Sequence, residues 1–269
     1  MQQLGIFSWF SYDLPIAERM QLIKEAGFTA VSLWWEGEEK YNQPDIAGAL
    51  GLVIDNIHTP YRLPNCTANS LWLEGEDGQE YTNTLIKATE DCVRFGIPTM
   101  VIHLTSFREP SSISEIGLCR IAEIVEVAEK RKIRLAFENL LHLEHLDIIF
   151  SRFSSEFVGF CYDSGHENLM HLPEDCLSKY GHRLFALHIN DNCGDDDSHM
   201  LPFDGTIDWQ YTMKKLKAAK PQKFFTLEVD WNRDYRRCSI YQRLTAEEYL
   251  GLAYEKASKL LDLKHTDDT

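Results

Sequence analysis

Residues 134–139 read RLAFEN, 157–163 read FVGFCYD, 184–190 read LFALHIN and 224–229 read FFTLEV. Each is a short apolar run that stops at a polar side chain: Glu138, Asp163, His188 and Glu228. Runs of this length and composition read as buried strands. Each polar group therefore stands where a strand ends. Desolvating three carboxylates and an imidazole at successive strand ends would cost several kcal/mol unless something compensates them. A divalent cation is the natural compensator. The pattern thus predicts a metal site at the mouth of a parallel β-barrel.

Working outward, the same kind of run recurs at 4–9 (LGIFSW), 30–35 (AVSLWW), 52–58 (LVIDNIH) and 99–104 (TMVIHL), which brings the expected strands to eight. Helical patterns separate them. The first has Pro15 at its start, Ile16, Met20 and Ile23 on one face, and Gly27 just past its end. A second opens with Ser112 and Glu115 at capping-box spacing and continues through Leu118, Ile121, Val125 and Ala128. The last opens with Thr245 and Glu248 and carries Leu250, Tyr254, Ala257 and Leu261. Eight alternating units without a linker-like break predict one (β/α)8 TIM-barrel domain over residues 1–269. An open doubly wound sheet would fit the alternation too, but no glycine-rich phosphate fingerprint follows the first strand.

Composition excludes several classes. A net charge of −15 from 27 basic and 42 acidic residues argues against nucleic-acid or anionic-membrane partners. No apolar stretch approaches the roughly 20 residues of a membrane span. The seven cysteines contain no CxxC pair, and the opening MQQLGIFSWF lacks the basic flank of an export signal. Reduced thiols and a cytoplasmic location are the expectation. Copies of such a barrel can associate into a homo-oligomer, but no patch in the sequence marks an interface.

All strand C-termini of a barrel open on one face. His58 and His103 fall at the ends of the third and fourth strands, while His166, Asp197 and His199 follow shortly after later ones. Four carboxylates and five histidines are thus expected on one rim. Asp163 precedes Ser164-Gly165, so capping of the next helix is an alternative role for it. His142, His145, His171, His182 and His265 fall in helical or tail segments, where a solvated face is expected. Two long connections, 59–79 and 190–206, follow candidate site strands and read as functional loops. Trp9, Trp34, Trp35 and Trp231 lie at expected strand ends, where they would either wall a pocket or simply pack.

The runs AFEN (136–139), CYDSGH (161–166), LHINDN (187–192), DSHMLPFDGTIDW (197–209) and TLEV (226–229), in this order, resemble the sugar phosphate isomerase/epimerase family with a xylose-isomerase-like barrel. The resemblance implies that Glu138, Asp163, His188 and Glu228 bind one divalent metal (Mn, Mg, Co or Zn). It also implies that Glu138 and Glu228 are the acid/base pair on either side of a small sugar, keto-sugar or polyol, phosphorylated or not, and that His166 contacts this substrate. Phe203-Asp204 departs from the proline-glycine-acidic pattern common in the family, which bears on the local loop shape. The same superfamily includes endonuclease IV enzymes, which cut DNA at abasic sites with three zinc ions. Their additional ligands have counterparts in His58, His103, His166, Asp197 and His199, so a phosphodiesterase is one alternative; a dehydratase of a hydroxy- or keto-cyclitol is another. The acidic charge disfavours the DNA reading. Arg62, Arg108, Arg233, Arg236 and Arg237 are the basic residues expected near the rim, and the last three form a basic-aromatic cluster with Tyr235. That cluster fits either an anionic group of the substrate or a solvated loop.

Overall fold

Strands and helices alternate along the chain in the computed structural model, which describes residues 2–170, 175–231 and 240–263. The strands are β1 (Gln3–Phe7), β2 (Ala30–Trp34), β3 (Val53–His58), β4 (Thr99–Ile102), β5 (Arg134–Glu138), β6 (Val158–Asp163), β7 (Leu184–His188) and β8 (Phe224–Leu227). The helices are α1 (Ile16–Glu25), α2 (Gln43–Ala49), α3 (Glu76–Phe95), α4 (Glu115–Arg131), α5 (Glu144–Arg152), α6 (Ser164–Met170), α7 (Cys176–Tyr180), α8 (Trp209–Ala218) and α9 (Ala246–Leu263). The strands pair in parallel in the order β7-β6-β5-β4-β3-β2-β1-β8. A bridge between Ile189 and Leu227 joins β7 to β8, carried by Ile189 N–H to the Thr226 carbonyl (3.0 Å) and Glu228 N–H to the Ile189 carbonyl (3.1 Å). The sheet is therefore a (β/α)8 barrel and not the open doubly wound alternative.

Register explains why the strand tips converge. His58 pairs with Val101, Val101 with Ala136, Glu138 with Cys161, and Asp163 with His188. His103, Glu138 and Asp163 each lie two residues beyond such a partner. A two-residue stagger preserves the pleat, so all of these side chains face the same side of the sheet. One layer below them, Val101, Ala136, Cys161 and Ala186 form a small buried cluster with Phe185. Their small volumes leave room above for the polar tips.

The helical expectations hold at both ends of the chain. In α1, Ile16, Met20 and Ile23 are buried, and Gly27 adopts φ +105 just beyond the helix. Before α9, Thr245 N–H donates to Glu248 Oε2 (2.9 Å) and Glu248 N–H to Thr245 Oγ1 (3.2 Å), a reciprocal capping box. At α4 the cap is Ser114 rather than Ser112: the Ser114 hydroxyl accepts from Gly117 N–H (3.2 Å) and donates to the Trp72 carbonyl (2.6 Å). That second bond ties the helix start to the 59–79 connection. The connection is itself ordered around a 3-10 turn at Ala68–Trp72. His142 and His182 are exposed as expected, but His145 is buried, rests on the Trp72 ring at 4.7 Å and bonds the Ser111 carbonyl through Nε2. His171 and His265 lie outside the described residues. No described helix is long and apolar enough to cross a membrane.

Candidate metal centre and cavity

Glu138, Asp163, His188 and His58 are the last residues of β5, β6, β7 and β3; His103 and Glu228 immediately follow β4 and β8. His166 stands in the first turn of α6, and Asp197 and His199 in the loop after β7. These nine residues meet in one place, in overlapping donor groups: His58–His103–Glu138, Glu138–Asp163–His188–Glu228, His166–Asp197–His199, His58–His188–Glu228 and, with Cys161, Glu138–Cys161–His188. Within each group the donor atoms lie within 4.8 Å of one another.

Glu138 is the hub. Its Oε2 lies 3.4 Å from His58 Nε2, 3.2 Å from His103 Nε2 and 3.1 Å from His188 Nδ1; its Oε1 lies 3.1 Å from His166 Nδ1. Both oxygens are buried, yet none of these approaches has hydrogen-bond geometry. Glu228 Oε2 lies 2.7 Å from His188 Nδ1. Asp197 Oδ2 stands between His166 Nε2 (3.4 Å) and His199 Nε2 (3.3 Å).

The donor chemistry fits divalent ions. His58, His166 and His199 each direct Nδ1 at a backbone carbonyl, of Thr59 (2.9 Å), Asn139 (2.9 Å) and Glu228 (3.0 Å). A carbonyl accepts only, so Nδ1 carries the proton and Nε2 is left to face the carboxylates. Orientation of an imidazole by a backbone carbonyl is the usual support of a metal-binding histidine. The Asp163 carboxylate is positioned just as firmly. Its Oδ1 accepts from His166 N–H (2.6 Å) and caps α6, and its Oδ2 accepts from Asn190 Nδ2 (2.8 Å). The helix-capping role expected as an alternative is therefore real and shares the side chain with the donor group.

Electrostatics describe the same site without a cation. Burial works to raise Glu138 and Glu228, but neighbouring imidazoles outweigh it; Glu138 is held well below the ordinary carboxylate value and Glu228 at about 2. Burial alone would lower His166, His188 and His199, yet nearby carboxylates lift His166 and His199, and Cys161 with Glu228 and Glu138 lifts His188, well above the ordinary imidazole value. Asp163, raised by burial and by Glu228 and Glu138 against the pull of His166, reaches about 7. The raised imidazoles balance the charge of the buried carboxylates. Metal binding must displace the bound protons. Apparent metal affinity is expected to fall about tenfold for each pH unit below 7 per proton displaced, because protonated Asp163 competes with the ion. Titration calorimetry in buffers of different ionisation enthalpy checks this; release of no proton at pH 7 would contradict the protonation pattern.

A cavity of about 650 Å³ opens above the centre, lined by Phe7, Trp9, Trp34, Tyr61, Phe107 and Glu228 among others. Glu228 reaches this space, whereas Glu138 lies beneath it, 1% exposed. Of the four tryptophans expected at strand ends, Trp9 and Trp34 line the cavity. Trp35 is buried elsewhere and donates to Asp91 Oδ2 (3.1 Å), and Trp231 packs near Tyr12 at 5.8 Å. Aromatic rings also brace the donors: Trp34 stacks on His58 (4.9 Å), Tyr61 on His103 (4.9 Å) and Phe107 lies against His166 (4.7 Å). Arg108 lines the cavity and Arg62 an adjoining depression; Arg233, Arg236 and Arg237 lie outside the described residues.

Three positioning residues escape a reading based on strand ends alone. Asn139 exchanges two 2.8 Å hydrogen bonds with the backbone of Asp163, donating from Nδ2 to its carbonyl and accepting its N–H at Oδ1. Asn190 bonds the Asp163 carboxylate itself. Asp191 organises the 190–206 loop by accepting from the N–H groups of Asn192, Phe203 and Ile207 and from Trp209 Nε1. The available signal was adjacency, because Asn139 follows Glu138 and Asn190-Asp191 come two and three residues after His188. Gly205 completes the loop, since a Cβ there would meet the Asn192 carbonyl oxygen at 2.2 Å.

Comparison with known proteins follows the same lines. The uncharacterized protein y4fM of Sinorhizobium fredii is 30% identical over 92% of this chain and 93% of its own. A D-tagatose 3-epimerase-like protein of known structure superposes with a TM-score of 0.73 at 19% identity, over 100% of both chains. D-psicose 3-epimerase from Clostridium cellulolyticum H10 superposes at 0.70 and 13% identity, over 98% of each chain. Residues 20–248 match the xylose isomerase-like TIM barrel family, and the chain belongs to that family.

Proposed function

We propose that this protein is a divalent-metal-dependent isomerase or epimerase of a small ketose or polyol. The observation that carries the reading is the Glu138–Asp163–His188–Glu228 donor group at the floor of a cavity walled by aromatic rings. Similarity of the fold to sugar epimerases supports it. The cavity volume suits a small molecule, and aromatic faces suit the apolar faces of a sugar.

Glu138, Asp163, His188 and Glu228 would hold the ion, which when bound supplies positive charge next to a substrate carbonyl oxygen. The chain's own residues would move the proton. One glutamate of the pair takes the proton from the carbon beside the carbonyl. The other returns a proton to the opposite face, giving an epimer, or to the neighbouring carbon, giving an isomer. Glu228, which lines the cavity, would touch that carbon; Glu138, buried beneath it, would complete the pair. Trp9, Trp34 and Phe107 exclude water from the walls.

Purified protein is expected to carry about one divalent ion per chain, to lose turnover of its ketose on chelation, and to regain it with Mn²⁺, Mg²⁺, Co²⁺ or Zn²⁺. Elemental analysis with a ketose and inositol screen, free and phosphorylated, tests this. A second reading has one specific observation behind it: the two histidine-rich donor groups flanking the central one, a set suited to zinc. A content of about three zinc ions with cleavage of an abasic-site oligonucleotide would favour a phosphodiesterase and displace the first reading.

A further inference from the structure

The cavity has an acidic residue that the proposed chemistry does not use. Asp230 lies two residues beyond Glu228, lines the same cavity, and belongs to none of the donor groups. Its N–H donates to the His199 carbonyl (3.1 Å), which fixes its backbone against the site loop. Ser11 is a side-chain hydrogen-bond partner of its carboxylate, and its buried Oδ1 accepts no direct hydrogen bond of good geometry among the described residues. No lysine or arginine forms an ion pair with it among those residues. A buried carboxylate oxygen left without a donor is costly, and such atoms in folded proteins call for a reason. A ligand hydroxyl entering the cavity supplies the missing donor.

We propose that Asp230 determines specificity by accepting a hydrogen bond from a substrate hydroxyl remote from the reacting carbons; this rests on the ketose reading above. Asp230 follows Glu228 by two residues, a reach of up to about 7 Å, and lies beyond the end of β8 at Leu227. A three-carbon ketose held at the centre does not span that distance. A six-carbon ketose does, with its distal hydroxyls at the level of Asp230. Trp9 and Trp34 line the path between the centre and the mouth.

The experiment measures binding to the Mn²⁺-loaded protein by tryptophan fluorescence, with D-tagatose and D-psicose as six-carbon probes and dihydroxyacetone as the three-carbon control. Wild type, Asp230→Asn and Asp230→Ala are compared at equal metal content. The expected result is about tenfold weaker binding of the six-carbon ketoses by Asp230→Ala and a smaller loss by Asp230→Asn, whose amide oxygen still accepts, with dihydroxyacetone unchanged by either. With a ketose that turns over, KM should rise by a similar factor while kcat holds. Equal binding by wild type and variants overturns the assignment. So does a parallel loss for dihydroxyacetone, or failure of both six-carbon probes to bind wild type. Turnover is followed separately. Binding that responds to Asp230 without any turnover would count against the isomerase reading and leave the Asp230 contact standing.

Discussion

Replacing Glu138 by alanine should strip metal from two donor groups at once. Glu138 is the one side chain common to the His58–His103 group and the Asp163–His188–Glu228 group, so its removal lowers the donor count of both. Metal content should fall below detection and turnover by at least about 10³-fold, since a lost ion forfeits several kcal/mol of charge stabilisation. His199→Ala, which touches only the third group, should leave the central ion in place. The metal-free protein should suffer as well. Four imidazoles approach the Glu138 carboxylate, and removing one partner of a buried ionic cluster typically costs about 3–5 kcal/mol. Glu138 is held well below the ordinary carboxylate value. Its stabilising contribution is therefore present at neutral pH and lost only as pH falls through that depressed value. The stability gap between wild type and variant should be widest near neutrality and close in acid. Denaturant unfolding at several pH values measures it; a variant as stable as wild type at pH 7, with normal metal content, would remove Glu138 from the hub.

The strand tips were legible in the sequence because a buried strand that ends in a carboxylate leaves a one-dimensional mark: an apolar run, then a charge. Four such marks fall on residues that the two-residue stagger of the barrel brings together. Features that depend on contacts between distant segments left no such mark. Ser114 rather than Ser112 caps α4 because only its hydroxyl meets the Trp72 carbonyl, 42 residues away. Trp34 and Trp35 are adjacent and chemically identical, yet one faces the cavity and the other Asp91. His145 was expected in solvent and is buried on Trp72, a contact that only the packing of the 59–79 connection creates. The asparagines that orient Asp163 were in plain view, but amide side chains after a strand fit any turn, and their partners are named only by the fold.

Glu228→Gln isolates chemistry from metal binding more cleanly than any change at Glu138. Glutamine keeps the size and one acceptor oxygen, so the ion should stay, bound about tenfold to a hundredfold more weakly. What it loses is the ability to take up a proton. Glu228 reaches the cavity while its Oε2 lies 2.7 Å from His188 Nδ1, and the imidazole holds its carboxyl at about 2. It is thus anionic throughout the neutral range. Loss of a positioned acid or base costs about 10²–10⁴-fold in rate. At saturating metal, kcat for the ketose should fall by that factor with KM changed much less, since the substrate still finds the ion and the aromatic walls. Exchange of the substrate's α-hydrogen with D₂O adds an independent readout. If Glu228 serves the face from which the proton is first taken, exchange and turnover should fall together. If it serves the return step, exchange should survive in part while the epimer or isomer no longer accumulates. An unchanged kcat with full metal occupancy would exclude Glu228 from the proton path, and the Glu138–Glu228 pair with it.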